Sequence, residues 1–468
     1  MAVYDKIVKY KLEMELTGPM HIGAADGENG EILINSEGKP FIQASGIAGI
    51  FRAYIEEKDK HLAEEMFGSR NMEATDSSSD SGSKVVFTDG LFTSDDGKKP
   101  LVELRPRVRL DENTGVVSLQ GSKGSSSESG GKFQMEYIGA GANLETYIYV
   151  FENSEDRYEE SVKNVISALN NGSVQLGGNK SNGCGYVSVK DLSQKIFDMH
   201  DEKDRLNWRD EEKLSPAAYT PVSLDRSESG NVAYTVTVEG KTEGTVLVKS
   251  NTKYVFKDHS MAEQNMQNAK GDYIIPGSSF KGTIKNQMRR IAGYMSSVGN
   301  FNVDDVIGDT FGIPSVAGKS GKVGNIAFSD TVVGNRGDND SLSASCRIHI
   351  DKFTGGEMNG ALFRTKNAYG KVTFEISIAN KNNPERSLGL LILALRDLAD
   401  GNVTVGGSAN VGCGVIETKT IKISDKMNGS TAVISFPENF PAGEDKTKIS
   451  DDSGIIDNAL KSLKEKAV

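Results

Sequence analysis

The stretch DYIIPGSSFKGTIKNQMRR (residues 272–290) joins the end of an apolar strand to the start of a helix. Two serines follow the Pro-Gly turn, where hydroxyl side chains can cap unpaired helix amides, and basic residues then recur every four positions on one helix face. Such an N-terminus can bind phosphate, although an ordinary helix with a solvated basic face fits as well. The candidate residues for binding a polyanion are Ser278, Ser279, Lys281, Lys285 and Arg289.

This segment has an earlier echo in QASGIAGIFRAYIEE (43–57), in which Ser45 and Arg52 occupy the positions of Ser278 and Lys285. Four more segments repeat in the same order, which is more than chance similarity explains and therefore indicates a tandem duplication. The repeated pairs are FG at 67–68 and 311–312, VVFTDG (85–90) and IAFSDT (326–331), RVRLDENTG (107–115) and RIHIDKFTG (347–355), and LGGNKSNGCGYV (176–187) and VGGSANVGCGVI (405–416).

Each copy predicts the same order of strand, helix, strands, helix and strand. The first strands, VKYKLEMEL (8–16) and VAYTVTVEG (232–240), alternate polar and apolar residues, and the late helices end at Gly172 and Gly401. This β-α-β-β-α-β order is typical of a ferredoxin-like fold. We therefore predict an α+β protein with a first domain at 1–208, a linker at 209–230, a second domain at 231–468, and inserted loops at 74–83 and 120–131.

Composition narrows the class of protein. The 468 residues carry a net charge of −11, which argues against a protein coated in basic patches. A local basic groove could still bind nucleic acid. No apolar run approaches the roughly 18 residues that span a bilayer, which predicts no membrane contact. The three cysteines form no CxxC pair, which argues against a zinc cluster and favours a reduced, cytoplasmic setting.

Two further motifs predict contacts with a polyanion, each with a plainer alternative. Cations and an aspartate occupy alternate positions along two strands, so they share one face of each strand. This face could lie along RNA on a hairpin, or it could be a face of ion pairs that ends in a turn. Paired glycines let a backbone approach a ligand closely, or make a tight connection from helix to strand. The candidates from these motifs are Arg107, Arg109, Arg347, His349, Gly177, Gly178, Lys180, Gly406 and Gly407.

The early loop GPMHIGAADGENGE (18–31) follows the first strand and contains His21, Asp26 and Glu28. Carboxylates on a loop beside a phosphate path could hold Mg²⁺, although an acidic, solvated surface loop fits the same residues. The second copy lacks the His-Ile-Gly and has a longer loop, VFKDHSMAEQNMQNAKGD (255–272), that contains Asp258.

Together these motifs resemble the RAMP superfamily of CRISPR-associated proteins, across essentially the whole chain and twice over. HIG, IPGSSFKG, both Asp-x-x-Thr-Gly segments and both glycine-rich loops resemble motifs of its Cas7-like backbone subunits in type III effectors. A two-copy chain is similar to the fused Cas7 subunits of type III-D-like complexes. The resemblance implies an RRM-like palm and a hairpin thumb in each half.

The resemblance also implies a function and partners. The chain would hold guide RNA (crRNA) by its backbone, together with target RNA, beside Cas10-like, other Cas7-like and small subunits. An early-loop aspartate would support cleavage of target RNA with Mg²⁺ or Mn²⁺, and Asp26 is the nearest candidate catalytic and metal residue. Glu28 and Glu31 are rivals for that role, and Asp258 is the weaker candidate in the second half.

Two other functions stay open from the sequence. The chain could be a purely structural crRNA-binding subunit without catalysis, which a test for metal-dependent cleavage of target RNA would separate. It could also be a Cas6-like RNA-processing nuclease, since that family has tandem ferredoxin-like halves and commonly uses a histidine without metal. Cleavage that resists a chelator would indicate the Cas6-like function, whereas the Asp-x-x-Thr-Gly copies favour the Cas7-like one.

Overall fold

A computed structural model describes most of the chain. The described residues are 4–23, 30–68, 82–108, 132–210, 218–224, 231–257, 259–298, 302–313, 321–334, 342–437 and 447–463. The chain divides into two units. Unit 1 comprises Met1–Val102, Glu136–Lys180 and Cys184–Gly230, and unit 2 comprises Glu103–Met135, Ser181–Gly183 and Asn231–Val468.

The first half of the chain contains the elements β1 (Lys6–Leu16), β2 (Phe41–Ile42), α1 (Ala44–Lys58), α2 (Lys60–Phe67), β3 (Val85–Phe87), β4 (Gly90–Thr93), β5 (Val102–Val108), β6 (Lys132–Ile138), β7 (Asn143–Glu152), α3 (Tyr158–Asn170), β8 (Val187–Asp198), α4 (Glu202–Arg209) and β9 (Thr220–Pro221). In unit 1 one antiparallel sheet has the strand order β2-β4-β7-β1-β8-β9, and β3 also pairs with β7. The buried face of β1 packs with α1 and α3 in one core.

The second half contains the elements β10 (Val232–Glu243), β11 (Lys249–Val255), β12 (Met261–Asn265), β13 (Ile274–Ile275), α5 (Gly277–Val298), α6 (Val303–Phe311), β14 (Ile326–Phe328), β15 (Thr331–Val332), β16 (Leu342–Ile350), β17 (Glu357–Ala368), β18 (Lys371–Ala379), α7 (Pro384–Ala399), β19 (Val415–Asp425), β20 (Thr431–Ser435), β21 (Lys448–Ser450) and α8 (Ile455–Ser462). The main sheet of unit 2 has the order β14-β18-β10-β19-β20-β21, and its core is a separate cluster.

The predicted fold class is confirmed. In unit 1 the first strand, β1, lies between β7 and β8, and in unit 2 the first strand, β10, lies between β18 and β19. This is the arrangement that the β-α-β-β-α-β order produces in a ferredoxin-like sheet. The late helices also end as predicted, because Gly172 and Gly401 follow them with positive φ angles of 78° and 74°. β20, β21 and α8 extend unit 2 beyond this core.

Two additions correspond to the predicted hairpin thumbs. β5 pairs with β6, and a four-stranded sheet has the order β11-β12-β17-β16. The prediction of a loop over 255–272 is wrong in part, because Met261–Asn265 form the strand β12 within it. The inserted loops predicted at 74–83 and 120–131 lie, apart from residues 82 and 83, outside the described residues.

In unit 1 the sheet face opposite α1 and α3 is covered. The indole of Trp208 lies 5.7 Å from the ring of Tyr149, 6.1 Å from that of Phe151 and 5.4 Å from that of Phe197. β9, within the predicted linker, pairs with β8 at the sheet edge. These three aromatic side chains therefore pack against the indole of Trp208. Within the described residues, every helix is too short or too polar to cross a lipid bilayer.

Candidate nucleic-acid interface

The start of α5 is capped by a carboxylate. The helix begins at Gly277, whose N–H donates to Asp330 Oδ1 at 2.9 Å, and the Ser279 N–H donates to the Pro276 carbonyl at 2.9 Å. Ser278 and Ser279 therefore lie inside the first turn. The prediction that they cap the helix is wrong, and the Gly277 amide already has an anionic acceptor in place of a phosphate.

Unit 1 repeats this cap. The Ala44 N–H at the start of α1 donates to Asp89 Oδ1 at 2.7 Å, and Ser45 is exposed beside it. Asp89 and Asp330 hold the same position in the repeated segments VVFTDG and IAFSDT. A shared aspartate was thus a visible signal of a shared cap, and the sequence reasoning missed it.

In unit 2 the capping carboxylate belongs to a buried ion-pair network. Arg105 Nη1 lies 2.7 Å from Asp330 Oδ2, and Arg105 Nη2 lies 2.5 Å from Glu103 Oε2. The other oxygen of Glu103 accepts the Ala269 N–H at 2.6 Å. Burial alone would lower the pKa of Arg105, but the two carboxylates raise it, so the guanidinium stays charged.

Three cations of unit 2 form a basic cluster, which we define as Arg107, Lys281 and Lys285. Lys281 Nζ donates to the hydroxyl of Ser181 at 2.6 Å. Burial, followed by repulsion from Lys285 and then from Arg107, lowers the pKa of Lys281 to about 8. The cluster therefore concentrates positive charge around a half-buried ammonium group, and an anion placed there would relieve the repulsion.

The other cations of the predicted basic face have carboxylate neighbours. Arg289 Nη2 lies 3.0 Å from Asp304 Oδ1 on α6. In unit 1, Arg52 Nε lies 3.9 Å from Glu56 Oε2, and the Arg52 side chain is only 14% exposed. The continuous basic face expected from the four-residue spacing is thus interrupted at Arg289, and binding of RNA by Arg289 and Arg52 stays a prediction.

The glycine-rich loops need glycine because they touch their own protein backbone. A Cβ on Gly177 would lie 2.6 Å from the His21 carbonyl oxygen, and one on Gly406 would lie 2.7 Å from that of Leu247. The N–H groups of Gly178 and Gly407 donate to those same two carbonyls, each at 2.8 Å. The tight-connection alternative thus accounts for these glycines. Contact of the loops, and of exposed Lys180, with RNA stays a prediction.

His21 is held beside its glycine-rich loop. Its Nδ1 lies 2.8 Å from the Glu136 carbonyl oxygen, which can only accept, so Nδ1 carries the proton and donates it. The His21 ring centroid lies 5.5 Å from that of Tyr137. The matching backbone contact in unit 2 comes from Leu247, which shows that the second copy has a buried apolar residue in the place of the histidine.

The second strand motif ends in a turn. Asp351 Oδ1 accepts the N–H groups of Phe353 at 2.9 Å and Thr354 at 2.8 Å, and these bonds lower the pKa of Asp351. Arg347 Nη2 lies 3.7 Å from Cys413 Sγ, and His349 is exposed on the same strand. The aspartate thus shapes the tip of the hairpin. In the first copy, Arg109 lies outside the described residues.

The predicted catalytic and metal residues Asp26, Glu28 and Asp258 all lie outside the described residues. Within the described ranges, no group of three or more His, Cys, Asp or Glu side chains is arranged to hold a metal ion. Gly23 within the early loop and Ile32 directly after it form a β-bridge, which lies two residues from His21 along the chain.

Comparison with known proteins identifies the family. No curated protein sequence matches the chain. A cryo-EM structure of the type III-B Cmr-beta bound to cognate target RNA is similar at 21% identity over 40% of this chain, with a TM-score of 0.30. The similarity spans 61% of that chain, which is less than two thirds of its length. The RAMP superfamily model matches residues 13–188 and 261–417, together more than half of the sequence, and this protein therefore belongs to the RAMP superfamily with two RAMP domains.

Proposed function

We propose that this protein is a Cas7-like backbone subunit of a type III CRISPR effector complex, and that it binds the crRNA backbone through the basic cluster of unit 2. The observation that carries the proposal is the half-buried Lys281, whose ammonium group donates to the Ser181 hydroxyl and is repelled by the charges of Lys285 and Arg107. A phosphodiester would place a negative charge beside these three cations. Such contacts hold RNA without reading its sequence, so base pairing with the guide supplies specificity.

We further propose that the subunit cleaves target RNA with Mg²⁺ or Mn²⁺. Asp26 is the residue that would hold the metal, which would polarise the scissile phosphate. His21 belongs to the same loop, and its Nε2 is an acceptor in the Nδ1-protonated tautomer. The proposed partners are crRNA, target RNA and other type III subunits. Co-expression with the neighbouring genes, followed by sequencing of the RNA that copurifies, tests the assignment, and recovery of no CRISPR-derived RNA would contradict it.

Removing two cations of the basic cluster should weaken RNA binding. We expect Lys281→Ala/Lys285→Ala to bind single-stranded RNA about 30-fold more weakly at 0.1 M salt, and the slope of log K against log salt to fall by about 0.7 per lost contact. The control is Lys371→Ala/Lys422→Ala, which removes two exposed strand lysines of unit 2. Fluorescence anisotropy measures the RNA affinity of both double variants. Equal losses of affinity would show that the RNA does not bind at the basic cluster.

RNA affinity should fall as the pH rises above 8. The free protein loses the Lys281 proton near pH 8, whereas a bound phosphate favours the charged ammonium, so binding takes up a proton above that pH. Affinity should then drop by up to about tenfold per pH unit, measured by titrations from pH 7 to 9.5. The arginine of Lys281→Arg stays charged over this range, so the RNA affinity of this variant should depend less on pH. If the affinity of the wild type depended on pH no more than that of the variant, RNA binding would not be linked to protonation of Lys281.

Gly282 on α5 lies next to Lys281, and a Cβ built on it meets no atom within 4 Å. The fold itself therefore does not require glycine there, although a helical glycine costs about 1 kcal/mol relative to alanine. We expect Gly282→Leu to leave the melting temperature unchanged or higher and to weaken RNA binding at least about tenfold, because the side chain would occupy the phosphate path.

The matched control is Gly293→Leu. Gly293 is also exposed on α5 with no atom within 4 Å of its Cβ position, and it lies about 16 Å further along the helix. The Gly293→Leu variant should change in stability as Gly282→Leu does, but it should keep the RNA affinity of the wild type. Equal binding by both variants would show that the RNA does not approach α5 at Gly282.

A further inference from the structure

The carboxylate-capped helix start occurs twice, and its surroundings differ between the two units. In unit 2, Asp330 receives both the helix amide and the guanidinium of Arg105, and the Asp330 side chain is 16% exposed. In unit 1, Asp89 is exposed. Among the described residues, Ala44 is the one hydrogen-bond donor to the Asp89 carboxylate.

The cover in unit 2 consists of two pieces of chain. One is the strand segment with Glu103 and Arg105, which are 7% and 6% exposed. The other is residues 181–183, which meet the helix start backbone to backbone. A Cβ on Gly277 would lie 2.0 Å from the Phe328 oxygen and 2.8 Å from the Asn182 oxygen, and one on Gly183 would lie 2.4 Å from the Phe328 oxygen.

The equivalent surface of unit 1 is exposed. We define the Asp89 face as Gln43, Ser45, Gly46 and Asp89, all of which are exposed. Two apolar side chains on the strands beside it, Val86 and Leu91, are 43% and 44% exposed. A carboxylate with apolar neighbours is complementary to a protein surface that carries a cationic side chain. The same carboxylate would repel the phosphate backbone of RNA.

We propose that the Asp89 face docks a separate protein that places an arginine from a β-strand against Asp89, as Arg105 is placed against Asp330. The arginine would form a charge-assisted pair with the carboxylate. The inference rests on the proposed role of the chain as one subunit of an assembly, but the contact itself involves no RNA.

A second copy of this chain does not meet the chemical requirement. The repeat places Ser345 at the position of Arg105, Ser343 at that of Glu103, and Val411 at that of Asn182. The chain's own later hairpin thus offers a hydroxyl where a guanidinium is needed. The occupant is therefore a different protein, one that carries an arginine at this position of its hairpin.

The chemistry can be tested with a modified copy as the probe. A donor copy carries Ser343→Glu and Ser345→Arg to supply the missing pair, together with Asp89→Asn to prevent it from accepting a further copy. Mixed with wild-type protein without RNA, it should form a 1:1 complex in sedimentation velocity. Binding should weaken at least about 30-fold when the wild-type acceptor carries Asp89→Asn, which keeps an oxygen for the Ala44 N–H.

Two outcomes of that titration would overturn the proposal. Wild-type copies that associate as tightly as the donor pair would make the occupant a second copy, and a donor that binds Asp89→Asn as well as wild type would remove Asp89 from the contact. The control acceptor is Asp201→Asn, an exposed aspartate whose side chain makes no cap hydrogen bond.

A second measurement decides the case in which the donor copy binds neither acceptor. The chain is co-expressed with the proteins encoded beside it, and the purified complex is weighed by native mass spectrometry. Asp89→Asn should lose one neighbouring subunit that Asp201→Asn retains, while affinity for single-stranded RNA stays unchanged. Retention of every subunit by Asp89→Asn would overturn the proposal. Selective loss of a subunit in Asp89→Asn, together with a wild-type complex that contains no CRISPR-derived RNA, would count against the proposed function alone.

Discussion

Replacing Arg105 with alanine should lower the free energy of unfolding of this protein by about 3 to 5 kcal/mol. The guanidinium neutralises two carboxylates, at 2.7 Å from Asp330 and 2.5 Å from Glu103, and its own side chain is 7% exposed. Its loss leaves both negative charges buried without a counter-ion. Urea unfolding at pH 7 measures the change, as a shift of the midpoint for the transition of unit 2.

Two variants separate this effect from the general loss of an ion pair. Arg209→Ala breaks an exposed pair with Asp210 and should cost less than about 1 kcal/mol. Arg105→Met combined with Glu103→Leu removes one buried charge along with the guanidinium and should recover part of the loss. If Arg105→Ala were no more harmful than Arg209→Ala, the network would contribute little to stability.

Replacing Asp26 with alanine should lower the rate of target-RNA cleavage by the assembled complex about 10³-fold, with Mg²⁺ or Mn²⁺ present. A metal at the scissile phosphate supplies several kcal/mol of transition-state stabilisation, and about 4 kcal/mol corresponds to this factor. Single-turnover cleavage of a labelled target RNA measures the rate, and RNA affinity measured in parallel should stay within about twofold.

The same assay separates the remaining alternatives. Glu28→Ala and Asp258→Ala serve as comparisons, since Glu28 is a rival to Asp26 in the first half and Asp258 is the candidate in the second half. Unchanged cutting by Asp26→Ala would remove that residue from the mechanism. No cutting by the wild-type complex with either metal would favour a structural subunit, and cutting that resists a chelator would favour the Cas6-like nuclease.

The fold could be predicted because it depends on patterns that recur in the sequence. Alternating residues in 8–16 and 232–240 fixed the first strands, and Gly172 and Gly401 marked the ends of the late helices. The duplication then supplied an independent check, since each half had to fold alike. β20, β21 and α8 escaped this reasoning, because they extend only one copy and have no repeat to reveal them.

The site was less predictable because its chemistry depends on residues far apart in the chain. Lys281 stood out by its spacing, but its neighbour Ser181 and the nearby charge of Arg107 come from distant segments. The paired glycines indicated that the loop backbone lies close to another group. They did not indicate whether that group is a ligand or, as the structure has it, the carbonyl of His21. The Asp89 and Asp330 caps were within reach of sequence reasoning, since both sit at one place in the repeat.

The packing of Trp208 bears on how the proposed RNA binding would depend on base sequence. RRM domains stack nucleotide bases on aromatic side chains of the sheet, and such platforms favour some bases over others. Here the rings of Tyr149 and Phe151 pack edge-on against the indole of Trp208, which leaves less of these rings open to a base. A subunit that binds RNA through its phosphates would accept a guide of any sequence, which is the property that the proposed role needs.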